Sequence, residues 1–152
     1  MQLFFRFWMV VTIIVFSTSF LSAAEASEIQ GAWRTETYNL KEGGKNQVEG
    51  LIFFTEKDWT VLFFVMGDDG EAKRGSGEGG SYTLDGGKLV FKHLYHLSAG
   101  EKVGSFAESP LRMFVKGADD AIAEPCRVTI DGDSMTIYFP SGNSIEFSRS
   151  SR

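Results

Sequence analysis

The side chains with the greatest potential for chemistry in this sequence are its two histidines. His93 and His96 are spaced as His-x-x-His. That spacing places two imidazoles on one face of a helix, whereas on a strand it points them to opposite faces. A zinc site also needs three or four ligands, and the sequence contains no further histidine. We therefore expect no metal site at this pair, with His93 as part of a wall and His96 solvated at the end of a strand.

The single cysteine, Cys126, could act as a nucleophile if a histidine lay beside it. Nothing in the sequence places the two together. Cys126 shares an apolar face with Val128 and Ile130, and a free cysteine in such a setting is commonly a small buried hydrophobe. We expect a buried thiol that forms no internal disulfide.

A glycine-rich stretch contains the pattern Gly-x-Gly-x-x-Gly at residues 75–80. A dinucleotide site needs a strand before this pattern and a helix after it, but here a strand and a hairpin follow. Residues 67–80 are therefore predicted to form a flexible loop, where Lys73 and Arg74 could attract an anionic group.

The acidic residues do not form a recognisable catalytic or calcium motif. Residues 68–71 and 131–133 resemble fragments of calcium loops without the spacing of an EF-hand. No paired carboxylates, Gly-x-Ser-x-Gly or His-Glu-x-x-His pattern is evident. The sequence leaves enzyme activity uncertain and favours a non-catalytic role.

The first 24 residues have the three-part layout of a secretory signal peptide. Arg6 precedes an apolar run over residues 7–16, and Ser22-Ala23-Ala24 is a small-residue cleavage pattern. An uncleaved anchor would need about 20 apolar residues, and this run is shorter. We expect a signal peptide at 1–24, a domain at 25–152 and export to the periplasm or the medium, with no membrane span after cleavage.

The charge of the chain limits its partners. The net charge is −5, and cleavage after residue 24 would remove one basic residue, Arg6, to give −6. A negative surface argues against binding to nucleic acid or anionic membranes.

The remaining sequence consists of short strand-like segments separated by polar turns. The predicted strands cover residues 29–40, 50–55, 59–66, 81–84, 88–96, 111–115, 126–130, 135–139 and 144–148. No amphipathic helix is evident, so the predicted class is all-β, as an antiparallel up-and-down barrel of about 8–9 strands. A barrel of about eight strands is either filled by side chains or holds one small ligand.

Three segments resemble bacterial lipocalin-like domains of the calycin group. Gly31-Ala32-Trp33 matches the Gly-x-Trp that opens the first strand of such barrels, and residues 50–59 and 82–91 resemble two of their hairpins. A second lipocalin signature, Thr-Asp-Tyr, is absent. The resemblance implies a barrel with a cavity, a structural role for Trp33 and no particular ligand. Since some calycin-like barrels bind haem, it also leaves His93 as a haem ligand as an open alternative.

Alternation along the strands predicts the inner wall. If Lys92, Arg112 and Thr60 face water, their neighbours face inward. The predicted ligand-binding residues are Trp59, Phe63, Phe91, Tyr95 and Met113 for apolar contact and His93 for a hydrogen bond.

The leading hypothesis is an exported, non-catalytic protein that binds a small apolar or amphipathic molecule in the barrel, with no cofactor. One alternative is an interaction or inhibitor module with a filled barrel, acting through loops 67–80 and 98–110. The other is a haem protein or small enzyme that uses His93.

Overall fold

The computed structural model describes residues 27–104 and 106–150, so the predicted signal peptide lies outside the described residues. The described chain is 69% strand with almost no helix, and a 3-10 turn lies at Ala118–Asp120. The strands are β1 (Gly31–Asn39), β2 (Lys45–Phe54), β3 (Asp58–Met66), β4 (Ala72–Asp85), β5 (Lys88–Gly100), β6 (Ser109–Val115), β7 (Ile122–Asp131), β8 (Ser134–Tyr138) and β9 (Ser144–Arg149). The predicted all-β class is confirmed.

Eight of the nine strands close into an antiparallel barrel. Each strand pairs with the next along the chain, except that β5 pairs with β7, and β9 returns to pair with β1. The extra strand, β6, pairs only with β5. The barrel confirms the predicted meander and is consistent with a calycin-like fold.

The glycine-rich stretch predicted as a loop is largely a strand, and this prediction was wrong. Only the turn that ends at Gly70 separates β3 from β4, and Gly75, Gly77 and Gly79 lie within the β4 ladder. Glycine has a low preference for strands, but β4 is paired on both sides, with β3 and with β5. The hydrogen bonds to β3 and β5 hold the β4 backbone in a strand, although its glycines have little preference for one.

A β-bulge at Leu94 divides β5 into two parts. Gly79 pairs with Tyr95 and Gly80 with His93, so Leu94 has no partner on β4. A Cβ atom on Gly80 would lie 1.9 Å from the carbonyl oxygen of Lys92, so only glycine fits opposite the bulge. The bulge reverses which face of β5 each later residue occupies.

The bulge is also the place where β5 changes its second partner. Residues 88–93 pair with β7, whereas β6 pairs from Tyr95 onward. The backbone N–H of Lys116, just after β6, donates to the Leu94 carbonyl at 2.8 Å. No pairing joins β6 to β7 within the described strands, so the barrel wall divides between these two strands on the C-terminal side of the bulge.

Side chains fill the interior at the end of the barrel opposite the division between β6 and β7. Trp33 is fully buried there, and its indole Nε1 donates to the Ile29 carbonyl at 2.8 Å. The guanidinium of Arg149 lies 4.0 Å from the centre of the Trp33 ring. The largest fully buried side chains that share a core cluster with Trp33 are Phe91, Ile29, Leu89, Met135 and Ile137. Trp33 therefore packs in the core, as the structural role predicted for it requires.

Candidate functional site

The other half of the barrel contains a cavity of about 590 Å3. Its volume falls in the range of small-molecule sites, and its wall is mostly aromatic and aliphatic. The aromatic lining residues are Tyr38, Trp59, Phe63, Phe91, Phe114, Phe139 and Phe147. Filled and hollow interiors were both open from the sequence, and this barrel has one filled half and one hollow half.

Four of the six predicted site residues line this cavity. Trp59 and Phe91 are buried and lie with their ring centres 4.2 Å apart. Phe63 is half-buried nearer the open end, and the His93 ring meets Trp59 edge to face at 5.2 Å. The alternation argument placed these side chains on the correct face, and their role in binding stays a prediction.

Tyr95 and Met113 do not line the cavity, and their predicted inward orientation was wrong. Tyr95 is 55% exposed and Met113 is 68% exposed, both on the outer surface. The bulge at Leu94 reverses the orientation of Tyr95. For Met113 the error came from taking Arg112 as a marker of the outer face, because β6 lies beside the barrel and leaves most of its residues exposed. Phe114 is the β6 side chain that lines the cavity.

A charged cluster forms the polar part of the cavity wall. Nδ1 of His93 lies 2.8 Å from Oε2 of Glu78 on β4, and Nε2 of His93 lies 3.1 Å from Oε2 of Glu124 on β7. The His93 side chain is only 12% exposed, so this contact is largely shielded from water. The three residues, which we call the carboxylate–imidazole cluster, connect three consecutive strands of the wall.

His96 joins the edge of this cluster. Its Nδ1 lies 3.5 Å from Oε1 of Glu78, and its Nε2 lies 2.8 Å from the hydroxyl of Ser98. The prediction that the two histidines face opposite ways was wrong, because the bulge at Leu94 brings both to one side. The His96 ring also stacks on Phe114, with ring centres 5.1 Å apart.

The two carboxylates hold His93 in its charged form. Burial alone would lower the pKa of His93, but the hydrogen bonds to Glu124 and Glu78 and their negative charges outweigh it and raise the pKa to about 9. Burial likewise favours a higher pKa for Glu78, but hydrogen bonds from His93 and Ser76 lower it below the usual value. Near neutral pH both imidazole nitrogens of His93 therefore donate, and neither offers a lone pair to a metal or a haem iron.

Both carboxylates have signals in the sequence, since alternation along a strand places each on the same face as a buried residue. Glu124 lies two residues before Cys126, whose face had been assigned to the interior, so alternation places Glu124 inward too. Glu78 lies four residues before the buried Tyr82 on the same strand. Glu78 was missed because its strand was interpreted as a loop, and Glu124 because the strand was predicted to start at Cys126.

Two other polar groups complete the description of the interior. The indole Nε1 of Trp59 is buried and has no hydrogen-bond partner among the described residues. Cys126 is buried as predicted, and burial, with a smaller contribution from Glu124, raises the pKa of its thiol to about 12. A thiol with that pKa is not a nucleophile near neutral pH.

Over residues 27–104 and 106–150, no three His, Cys, Asp or Glu side chains are grouped so as to hold a metal ion. No helix in that part of the chain is long and apolar enough to cross a membrane. No protein-family model, curated protein or solved structure matches the sequence.

Proposed function

We propose that this protein binds a small amphipathic molecule in the open half of its barrel, without chemical conversion. The observation that carries the proposal is the cavity of about 590 Å3, whose aromatic wall is interrupted by one charged cluster. Such a site holds an apolar body by burial and fixes its orientation through a few polar contacts. The barrel and the Gly-x-Trp at its filled end further support a lipocalin-like protein.

The arrangement of the cluster favours binding over catalysis. A general base needs a nitrogen that is free to accept a proton at the working pH. Both nitrogens of His93 are already occupied by carboxylates. The buried Cys126 thiol is protonated, so it supplies no nucleophile either.

Trp59 offers an apolar contact for a ligand, since it lies in the cavity wall and its indole N–H is inaccessible from the cavity. Because Trp59 lies in the cavity wall and Trp33 is buried in the filled half, Trp59 also provides a local fluorescence signal for binding.

We propose export to the periplasm or the medium as the setting for this activity. The basis is the signal-like segment at residues 1–24. Fractionation of cells that express the full sequence, with the N-terminus of the exported form sequenced, tests this. Full-length protein in the cytoplasm would contradict it.

Binding in the cavity is tested with a neutral aromatic probe, N-phenyl-1-naphthylamine, titrated against wild type and two variants. Phe63 lines the cavity, and the next residue, Phe64, points outward and is 40% exposed. We expect Phe63→Ala to weaken binding about tenfold, because it removes a large apolar contact, and Phe64→Ala to leave binding unchanged. Trp59→Phe should remove the fluorescence change.

Two results would contradict the proposal. The first is no binding of the probe to wild type. The second is binding that is lost in Phe64→Ala and kept in Phe63→Ala, which would place the probe on the outer surface.

The outer surface is the basis of a second candidate function, binding of a protein partner. Leu62, Tyr95, Leu97, Met113 and Val115 form an exposed apolar face on β3, β5 and β6. Exposed apolar areas of this kind often mark protein interfaces. Native mass spectrometry of protein purified from its own source separates the candidates, since a co-purifying protein favours this face and a co-purifying small molecule favours the cavity.

A further inference from the structure

The ionisable side chains that line the cavity carry a net negative charge. They are Glu78, Glu124, His93 and Tyr38, and no lysine or arginine is among the lining residues. Tyr38 is neutral near pH 7, because burial raises the pKa of its phenol above the usual value. Among these lining groups two carboxylates face one imidazole, so their sum is negative whether or not His93 is protonated; His96, outside the lining, contacts Glu78 from the edge of the cluster.

Of the two carboxylates, Glu124 is the one with an oxygen that accepts no hydrogen bond among the described residues. Oε1 of Glu78 accepts from the Ser76 hydroxyl at 3.0 Å, and its Oε2 contacts His93. Only Oε2 of Glu124 is occupied, by His93, and no hydrogen bond to its Oε1 is found among the described residues. The Glu124 side chain is 33% exposed at the cavity wall, so a ligand donor can reach the free oxygen.

Aromatic rings line the same cavity as this carboxylate. Phe114 lines it from β6, where its ring stacks on His96 and its ring centre lies 5.3 Å from Nζ of Lys116. Tyr38 lies between Phe63 and Phe139, with both ring centres 6.5 Å away. Aromatic faces attract cations and also bind hydrocarbon, whereas an anionic head group would meet repulsion from both glutamates.

We propose that the ligand of this cavity is an amphipathic organic cation, an amine with an apolar body, whose ammonium group donates to Oε1 of Glu124. The apolar body then lies against the aromatic wall toward Trp59 and Phe91. This inference rests on the proposed function and specifies the class of molecule that it concerns.

The test compares four molecules that share a ten-carbon chain, decylamine, decyltrimethylammonium, decan-1-ol and decanoate. Affinities are measured at pH 7.5 by Trp59 fluorescence and calorimetry, below the concentrations at which the compounds form micelles. We expect decylamine to bind at least about tenfold more tightly than decan-1-ol, because a charge-assisted hydrogen bond contributes that much, and decanoate to bind more weakly than both. The quaternary ammonium has no N–H and should lose most of the advantage.

Glu124→Gln provides the variant and Glu56→Gln the matched control. Both remove one carboxylate, but Glu56 lies in the exposed β2–β3 turn and outside the cavity lining. We expect Glu124→Gln to weaken decylamine much more than decan-1-ol and so to abolish the preference for decylamine, and Glu56→Gln to keep the preference. The four wild-type affinities test the inference even if Glu124→Gln does not fold.

The outcomes separate the inference from the proposed function. Equal binding of decylamine and decan-1-ol, or tighter binding of decanoate, would refute the proposal that the ligand is a cation and would leave the cavity as a binding site. Equal binding of the primary and quaternary ammonium would overturn the hydrogen bond to Glu124. If none of the four compounds binds, the proposed function falls and the inference falls with it.

Discussion

Raising the pH above neutral should destabilise this protein through His93. The folded state binds the imidazole proton more tightly than the unfolded chain does, because Glu78 and Glu124 accept its two N–H groups. The pKa of His93 is about 9 in the fold and 6.5 when unperturbed. The stabilisation is complete below pH 6.5 and is lost as the pH rises through 9.

The size of the effect follows from the pKa difference. Each pKa unit corresponds to about 1.4 kcal/mol, so the shift of His93 from 6.5 to about 9 corresponds to up to about 3 kcal/mol of unfolding free energy. The slope cannot exceed about 1.4 kcal/mol per pH unit, since one proton is involved. A loss of this size is a large fraction of the 5–15 kcal/mol typical of a domain.

The measurement is urea unfolding of wild type and His93→Gln at half-unit steps from pH 6 to pH 9.5. The comparison is necessary because the pKa values of Cys126 and Tyr38 are also raised in the fold, so both groups lower the unfolding free energy of the protein in alkali. Those contributions are common to both proteins, so the difference between the two curves isolates His93. An NMR titration of the His93 ring in wild type gives the pKa directly and does not depend on the variant.

Parallel stability curves for the two proteins between pH 6.5 and 9 would refute this reasoning. So would a His93 ring that titrates near 6.5. Either result would mean that the two carboxylates do not hold the proton as the contact distances indicate.

Two further predictions concern the bulge and the buried thiol. Gly80→Ala should cost about 1–3 kcal/mol of unfolding free energy, because its Cβ would meet the Lys92 carbonyl oxygen at 1.9 Å. In Gly77→Ala the nearest atom is a flexible Leu62 methyl at 3.7 Å, so the cost should stay below about 1 kcal/mol, and equal costs for the two variants would contradict the packing argument. The thiol of Cys126 should react with a disulfide reagent at pH 7.5 only as fast as the protein unfolds, and rapid labelling of folded protein would contradict its burial and its raised pKa.

The strand pattern was predictable from the sequence because local signals were sufficient. Turns at residues 85–87, 131–133 and 141–143 separate runs of β-branched and aromatic residues, and the structure places hairpins at each. The glycine-rich β4 could not be identified in this way, since its order comes from pairing with β3 and β5. Such pairing depends on the two neighbouring strands and is not encoded in the residue types of β4 itself.

The candidate site was predictable only up to the bulge. Alternation along β5 correctly oriented Phe91 and His93, and it failed for Tyr95 because one extra residue, Leu94, reverses the faces. Nothing in the sequence near Leu94 marks the bulge, whose requirement is a glycine on the neighbouring strand. The carboxylates around His93 come from strands 15 residues before it and 31 residues after it, so the β4–β5 hairpin brings Glu78 to His93 and the β5–β7 pairing brings Glu124.

The division of the wall above Leu94 has a consequence for selectivity. A complete ring of strands would enclose a bound molecule on all sides. Here β6 pairs only with β5, and the cavity lining includes Phe114 on β6 and residues 122–125 on β7, on the two sides of the division. A head group bound at Glu124 lies beside this division while its tail points toward Trp59 and Phe91, so we expect the protein to distinguish molecules by tail length as well as by head group.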